Sequence, residues 1–281
     1  MNLFEFLKIV ILGITEGITE FLPISSTGHL LIFEQILRPE CLQDEHFAEM
    51  FTVVIQMGAV LAVLLIYFRR LWPLGFTPDR KICIKGPKLY LWLKIAVACV
   101  PVMTFGILFD PLVDSLFHGR ASMIAVMITL IFYGIVFLVI EHYQKDSVPN
   151  YTTLGQIPMK MALYIGCFQI LAMIPGTSRS GITIIGAMLL GASRGVATEF
   201  TFFLEIPTIF GASLLKLVKF RFDFDGMQYA IILAGMIVAF LVAYVTVSWM
   251  IEYIKKHDFK AFGRYRIGLG LLILFFLIIF Q

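Results

Sequence analysis

The sequence predicts an all-α polytopic membrane protein, and three observations support this prediction. Of the 281 residues, 59% are hydrophobic and only 15% are charged, whereas an average soluble domain carries roughly 25% charged residues. Several apolar runs approach the ~20 residues that a helix needs to cross a bilayer. The sequence also lacks the ~10-residue segments of alternating polarity that are typical of a membrane β-barrel.

Composition and charge exclude several other classes of protein. The net charge is only +3 and no basic run resembles a nucleic-acid footprint, so no nucleic-acid partner is expected. The N-terminus does not resemble a cleavable signal peptide, because it has no basic leader and acidic residues interrupt its apolar run. The four cysteines have no CxxC or zinc-binding spacing and are expected to be free thiols: Cys41, Cys83, Cys99 and Cys167.

The first element is predicted to be a re-entrant helical hairpin at residues 4–37. This run is apolar, but Pro23, a cluster of hydroxyl groups and Gly28 interrupt it near its middle. Each arm is too short to cross a bilayer alone, so the economical arrangement is a helix, a polar turn and a helix that returns to the same side. Such non-helical backbone is tolerated at membrane depth only inside protein or beside water.

Six membrane-spanning helices and a second re-entrant hairpin complete the predicted order of elements. Three spans follow the first hairpin, at residues 51–68, 91–109 and 121–140. After a polar connector at 141–158, a second broken apolar run at 159–190 predicts the other hairpin. Three further spans follow it, at residues 200–218, 227–251 and 265–280.

The two halves of this single membrane domain, residues 1–140 and 159–281, resemble each other in outline. Gly13 and Pro23 recur as Gly166 and Pro175, and a second register aligns Gln56 with Glu205. Weak self-similarity of this kind is typical of membrane folds built from internal repeats. Because each unit has one hairpin and three spans, the second unit must enter the membrane from the opposite side, and the repeat is predicted to be inverted.

The distribution of basic residues predicts the orientation, because Lys and Arg in short loops mark the cytoplasmic side. The loops at 69–90 and 252–264 are basic and are placed inside, together with the less basic connector at 141–158. The loops at 38–46, 110–120 and 219–226 are then outside, and so are both termini. The first hairpin enters from outside and the second from inside, so their tips are expected to meet near the midplane.

Glu16 and Glu20 form the first candidate functional pair. Their i, i+4 spacing stacks both carboxylates on one face of a helix. Two like charges at low dielectric need a cation between them, which can be a metal ion, a basic side chain or a shared proton. A hard divalent ion such as Mg²⁺ accepts a few carboxylates together with water and phosphate oxygens. The alternative is that both side chains face a water-filled entrance.

The polar cluster that follows combines three hydroxyl groups with an imidazole: Ser25, Ser26, Thr27, Gly28 and His29. One hydroxyl group is explained as the N-cap of a helix predicted at residues 29–37, and the helix N-terminus also attracts anions. His29 lies three residues after Ser26, which places it close enough to act as its base or as a proton donor. A catalytic role is therefore predicted for this cluster.

The second hairpin carries a turn that suits an anion, at residues 175–181 (PGTSRSG). Gly176 permits close backbone approach, the hydroxyl groups of Thr177, Ser178 and Ser180 are polar donors, and Arg179 offers the planar fork that binds phosphate in two places. The turn is predicted to begin a helix at Gly181. The alternative is a capped turn whose arginine extends to water.

Other polar residues have less specific interpretations. Glu205 lies in an apolar span and is either a partner of the site or an acid lining a cavity. Arg194 follows the cap residue Ser193 and is expected to be an interfacial anchor. Four histidines lie in polar loops and are expected to be solvated: His46, His118, His142 and His257.

A glutamate pair, a serine–histidine cluster and an arginine turn at one depth predict phosphoryl transfer on a lipid phosphate or diphosphate. At residues 16–29 (EGITEFLPISSTGH) and 175–181 the sequence resembles the bacterial undecaprenyl-diphosphate phosphatases associated with bacitracin resistance, and the resemblance covers nearly the whole chain. It implies an inner-membrane enzyme that removes the terminal phosphate of the carrier lipid for peptidoglycan synthesis, with its active site open to the outer face.

The resemblance also implies a role for each motif residue. Ser26 is the nucleophile or its neighbour, His29 is the base or an alternative nucleophile, and Arg179 holds the diphosphate. Glu16 and Glu20 handle a divalent cation, Mg²⁺ or Ca²⁺, or a proton. Members of the family often carry a small residue at the position of Glu205. The sequence alone leaves open a transporter or flippase of polyprenyl phosphate built on the same repeat, a membrane scaffold, and a homodimer.

Overall fold

The computed structural model describes residues 3–76, 82–117, 119–145, 147–219 and 224–279. Arg80, Lys81, His118 and residues 220–223, which are half of the loop predicted at 219–226, lie outside the described residues. Helices, including short 3-10 turns between them, make up about four fifths of the described chain, which confirms the all-α prediction.

The described elements follow one another in a simple order. In chain order they are α1 (Leu3–Thr19), α2 (Ser26–Leu37), α3 (Glu45–Ile66), α4 (Phe68–Leu71), β1 (Leu74–Phe76), β2 (Ile82–Ile84), α5 (Gly86–Leu116), α6 (Arg120–Tyr143), α7 (Met159–Ile170), α8 (Arg179–Leu189), α9 (Arg194–Lys219), α10 (Gly226–Lys256) and α11 (Lys260–Ile279). Strands β1 and β2 form a small antiparallel hairpin. Helices α3, α5, α6, α9, α10 and α11 are each long and apolar enough to cross a membrane, which confirms the predicted polytopic class.

Several predicted boundaries are wrong in one consistent direction: the helices are longer than the apolar runs that identified them. Helix α5 continues to Leu116, so the loop predicted at 110–120 is mostly helical. Helix α10 continues to Lys256 and α11 begins at Lys260, which leaves three residues of the loop predicted at 252–264 outside helices. Hydropathy detects only the part of a helix that lies in hydrocarbon, whereas the backbone continues to bond to itself through charged residues at the membrane surface.

The shorter helices α1 and α7 pack closely against long ones. A Cβ atom at Gly13 would lie 3.0 Å from the carbonyl oxygen of Gly235 on α10, and one at Gly166 would lie 2.0 Å from that of Ala98 on α5. Small residues let helix backbones approach in this way in membrane proteins. Gly13 and Gly166 are the residues that the proposed repeat aligns, and each contacts the long second span of the other half.

The predicted re-entrant hairpins correspond to two helix pairs, α1 with α2 and α7 with α8. A turn breaks the chain after Thr19, and a short 3-10 segment and a turn break it after Ile170. Each of these helices has 17 residues or fewer, which is less than the ~20 of a full span. How the pairs enter the bilayer, and whether the two halves form an inverted repeat, stay predictions.

Arg194, expected to be an interfacial anchor, has a partly exposed side chain that forms an ion pair with a buried carboxylate. Its guanidinium group donates from Nε to Glu141 Oε1 at 2.9 Å and also pairs through Nη2 with the same carboxylate. Glu141 is fully buried and accepts a further hydrogen bond from the backbone N–H of Phe259 at 3.0 Å. This carboxylate therefore joins α6, the start of α9 and the link between α10 and α11.

Candidate active site

Two turns with the same local structure form the candidate site. Ser25 and Ser178 both have a positive φ, 76° and 69°, and each hydroxyl group accepts a hydrogen bond from a glycine N–H three residues later. The helices therefore begin at Ser26 and Arg179. The starts predicted at residue 29 and at Gly181 are wrong by three and two residues. A non-glycine residue with positive φ is strained, and such strain is often found at functional sites.

The two turns contact each other, as the sequence predicts for the tips of the hairpins. Ser180 Oγ lies 3.1 Å from the carbonyl oxygen of Glu20 and 3.2 Å from that of Leu22, and it donates to this pair. Arg179 Nη2 donates to Glu20 Oε1 at 2.8 Å. Residues about 160 positions apart in the chain thus form one cluster.

The hydroxyl group of Ser26 donates to a carboxylate. Ser26 Oγ lies 2.6 Å from Glu20 Oε2, while the other oxygen of Glu20 is bound by Arg179. Ser26 and Glu20 are both buried. A hydrogen bond from a hydroxyl group to a carboxylate is short and strong, and it prepares the serine oxygen to lose its proton.

The imidazole of His29 forms its hydrogen bonds with groups other than the Ser26 hydroxyl group that the sequence predicted as its partner. Its Nδ1 lies 2.7 Å from the carbonyl oxygen of Ser25, and its Nε2 lies 2.7 Å from the hydroxyl group of Tyr265. A carbonyl oxygen can only accept, so Nδ1 carries the proton, and a neutral ring then accepts from Tyr265 through Nε2. Both nitrogen atoms are occupied, because the imidazole faces α11 while Ser26 faces the end of α1.

Glu16 and Glu205 supply two further buried carboxylates. Glu16 is fully buried, Glu205 is 1% exposed, and none of their four carboxylate oxygens has a hydrogen-bond donor among the described residues. Glu16 lies beside Glu20, as the helical spacing predicts, and Glu205 is close enough to Glu20 and Arg179 for their charges to interact. Glu205 was expected to be either a partner of the site or an acid lining a cavity, and the structure favours the first interpretation.

The site holds more negative than positive charge close to its centre. The carboxyl groups of Glu16, Glu20 and Glu205 lie close enough to the guanidinium group of Arg179 for their charges to interact, and a second guanidinium group, that of Arg266, bonds to the backbone of both turns. Buried like charges of this kind are unstable unless protons or a cation neutralise them. In the described part of the chain, no group of three or more His, Cys, Asp or Glu side chains is arranged to hold a metal ion by itself.

The remaining predicted residues are divided between structural and exposed positions. The backbone carbonyl groups of Gly176 and Thr177 accept hydrogen bonds from Arg266. A Cβ atom at Gly176 would lie 2.3 Å from Thr129 Oγ1, so glycine is required here for packing and for its φ of 83°. Thr27 lies on the exposed side of α2. Ser25, Ser178 and Ser180 cap helices or join the turns, as described above.

Three residues of the site were missed in the sequence: Gln56, Tyr265 and Arg266. Gln56 Oε1 accepts a hydrogen bond from Arg179 Nη2 at 2.5 Å. The register of the repeat aligns Gln56 with Glu205 and could have indicated it. Arg266 lies inside an apolar run, and an intramembrane arginine is by itself a sign of function.

Access to the cluster is from the side of Arg179. The side chain of Arg179 is 25% exposed and Gln56 is partly exposed, whereas Glu16 behind them is fully buried. Arg179 is therefore the most exposed charged group of the cluster.

Comparison with known families identifies the chain. The model of the bacitracin resistance protein BacA family matches residues 9–272. The chain belongs to this family. Similar proteins include those from Lachnoclostridium phytofermentans, 51% identical over 97% of both chains, and Enterococcus faecalis, 49% identical over 98% of both chains. Another, from Lactobacillus delbrueckii subsp. bulgaricus, is 51% identical over 96% of both chains, and all three are named undecaprenyl-diphosphatase.

Proposed function

We propose that this chain is a membrane-embedded phosphatase that hydrolyses undecaprenyl diphosphate to undecaprenyl phosphate and inorganic phosphate. The observation that carries the proposal is the Ser26 hydroxyl group, which donates to Glu20 at 2.6 Å beside the guanidinium group of Arg179. A serine on a carboxylate next to an arginine fork is suited to attack on a phosphoryl group. The name of the relatives supports the same reaction and substrate.

Binding of the substrate divides between its two chemical parts. The diphosphate meets Arg179, whose fork can bind two phosphoryl oxygens, and Gln56, which holds that fork at 2.5 Å. The polyprenyl tail is apolar and lies among the membrane-spanning helices and bilayer lipid. Because Arg179 is bonded to Glu20, the bound phosphorus is placed next to Ser26.

The reaction follows from this arrangement in two steps. Ser26 Oγ attacks the terminal phosphorus, its proton passes to Glu20 Oε2, and the bond from phosphorus to the bridging oxygen breaks to release undecaprenyl phosphate. Water then hydrolyses the phosphoserine, which releases inorganic phosphate and restores the serine. Throughout both steps Arg179 neutralises charge on the phosphoryl oxygens, the main task of a protein in phosphoryl transfer.

A divalent cation, Mg²⁺ or Ca²⁺, fits the acidic side of the site. Glu16 presents two buried oxygens without a donor, and Glu20 lies beside it. Mg²⁺ in particular is commonly held by one or two carboxylates together with substrate phosphate oxygens, so a larger protein cage is not needed. Such a cation would supply charge neutralisation for the diphosphate when bound.

The cellular setting completes the proposal. The protein resides in the inner membrane, its active site opens to the outer face, and both termini are outside, in agreement with the basic loops at 69–90 and 252–264. There it recycles the carrier lipid for peptidoglycan synthesis. A homodimer stays a prediction.

The test is phosphate release from undecaprenyl diphosphate by the purified full-length protein. We expect release with Mg²⁺ and its loss after chelation. Ser26→Ala should lower kcat by about three orders of magnitude or more, as removal of a nucleophile does. The control is Ser248→Ala, which changes a half-buried serine that bonds to its own helix. Full activity in Ser26→Ala would remove the serine mechanism, and transport of polyprenyl phosphate without release would favour a transporter.

A further inference from the structure

Arg266 is fully buried at the junction of the two turns. Its Nη1 donates to the carbonyl oxygen of Pro23 at 3.2 Å, and its Nη2 donates to those of Gly176 at 2.9 Å and Thr177 at 3.0 Å. Nη2 also lies 3.5 Å from the carbonyl oxygen of Thr129 on α6. One side chain therefore bonds the backbone of both turns and the helix beside them.

These contacts require the shape of an arginine. The turn carbonyl groups lie in different directions, and the planar guanidinium group carries donors that reach them together, whereas a lysine ammonium is a point charge. A buried cation costs several kcal/mol unless its protons are bonded. In the described structure the partners of the Arg266 guanidinium group are these carbonyl oxygens and the ring of Tyr133, whose centroid lies 5.8 Å from Cζ.

The bonded carbonyl groups lie next to the reacting residues in the chain. Pro23 is three residues from both Glu20 and Ser26, and Thr177 is two residues before Arg179. A shift of either turn would therefore change the distances within the Ser26–Glu20–Arg179 cluster. We propose that Arg266 is a positioning residue. It holds the two turns in the relative position that brings Ser26, Glu20 and Arg179 into contact.

The contacts around α8 support the same role. A Cβ atom at Gly181 would lie 3.1 Å from Arg266 Nη1, so the first turn of α8 rests on the guanidinium group. The first residue of that helix is Arg179. Ser180 forms a second connection between the turns through Glu20 and Leu22, and Thr129 Oγ1 donates to the carbonyl oxygen of Pro175 in the second turn at 2.8 Å. Arg266 differs from both because it bonds to carbonyl groups of both turns. Movement of the guanidinium group is thus transmitted to the phosphate-binding arginine.

The experiment compares Arg266→Lys and Arg266→Met with Arg264→Met, which changes an exposed arginine on the same helix. Each full-length protein is assayed for kcat and KM on undecaprenyl diphosphate and for its thermal unfolding midpoint. We expect Arg266→Met to lose about 100-fold in kcat, the effect of a misplacement near 1 Å. KM should change little, because Arg266 does not touch the lipid. Arg266→Lys should restore part of kcat, and Arg264→Met should match the unchanged protein.

The outcomes separate positioning from a purely structural role. A folded Arg266→Met protein with the kcat of the unchanged protein would overturn the proposal. If Arg266→Met does not fold, Arg266→Lys decides: reduced kcat at an unchanged unfolding midpoint supports positioning, and unchanged kcat overturns it.

This inference rests on the proposed function only for its kinetic readout. If the unchanged protein releases no phosphate from undecaprenyl diphosphate, the proposed function fails by itself. The effect of Arg266 on the two turns is then tested by amide hydrogen exchange in residues 20–25 and 174–178. Exchange in both turns should be faster in Arg266→Lys than in Arg264→Met, and equal exchange in the two variants would overturn the inference.

Discussion

At the residue scale, Glu20 is the centre of the candidate site because its two carboxylate oxygens have different partners. One oxygen accepts from Ser26 and the other accepts from Arg179. The same side chain can therefore take the serine proton and orient the phosphate-binding group. His29 instead bonds to Ser25 and Tyr265, so we expect it to stabilise the position of α2 against α11.

This difference predicts that Glu20→Gln is far more damaging than His29→Gln. The glutamine cannot accept the serine proton, and loss of a general base lowers kcat by about 10²- to 10⁴-fold. His29→Gln removes hydrogen bonds that do not involve Ser26 and should cost about tenfold or less. Steady-state phosphate release measures both. A His29→Gln protein as inactive as Glu20→Gln would instead favour histidine as the nucleophile or base.

Glu16 should determine the cation requirement. Its two oxygens have no donor in the described structure, so Glu16→Gln replaces an acidic ligand by an amide of nearly the same shape. We expect the Mg²⁺ concentration for half-maximal activity to rise by about tenfold or more, by analogy with changes around other metal sites. The matched control is Glu252→Gln, which alters an exposed carboxylate paired with Lys255. Identical Mg²⁺ titrations for Glu16→Gln and the unchanged protein would exclude Glu16 as a ligand.

At the scale of elements, the site depends on how closely the short helices approach the long ones. Helix α7 can lie against α5 because Gly166 leaves room for the carbonyl group of Ala98. The same relation holds for α1 and α10 at Gly13. These contacts determine where the ends of α1 and α7, and therefore the two turns, meet.

Gly166→Ala should destabilise the protein by about 1–3 kcal/mol, the usual cost of overpacking. The added Cβ atom would lie 2.0 Å from the backbone oxygen of Ala98, which cannot move aside as a flexible side chain can. The control is Gly211→Ala on α9, where a Cβ atom meets nothing within 4 Å. The thermal unfolding midpoint of the purified proteins provides the measurement. Equal midpoints for the two variants would contradict the close approach.

At the scale of the whole molecule, the six apolar helices and the basic loops predict one orientation in the membrane. Gln43 and Ser147 are both exposed, at opposite predicted faces. In intact cells we expect Gln43→Cys to react with a membrane-impermeant maleimide and Ser147→Cys to react only after lysis. The native Cys41 is a poor reporter, because burial raises the pKa of its thiol. The reverse labelling pattern would invert the predicted topology.

The predictions that succeeded concern properties that are local in the chain. Six apolar runs identified six helices, and the polar breaks in two further runs identified the turns that carry Ser26 and Arg179. The features that were missed lie in polar segments, where hydropathy does not report secondary structure. They are the helices that continue past Phe109 and Ile251, and a β-hairpin within the basic loop. Tyr265 and Arg266 were missed because they lie at the start of an apolar run, where a count of hydrophobic residues gives them no weight.

The sequence by itself determined the membrane class, the number of spans and the two polar turns, because hydrophobicity and helix-breaking residues act over short distances in the chain. Only the tertiary structure decided which side chains bond to one another. Ser26 pairs with Glu20 and not with His29, and Arg266 bonds to carbonyl groups 89–243 residues away. Such pairings depend on the rotation and depth of each helix against its neighbours, which side-chain packing sets and residue spacing does not.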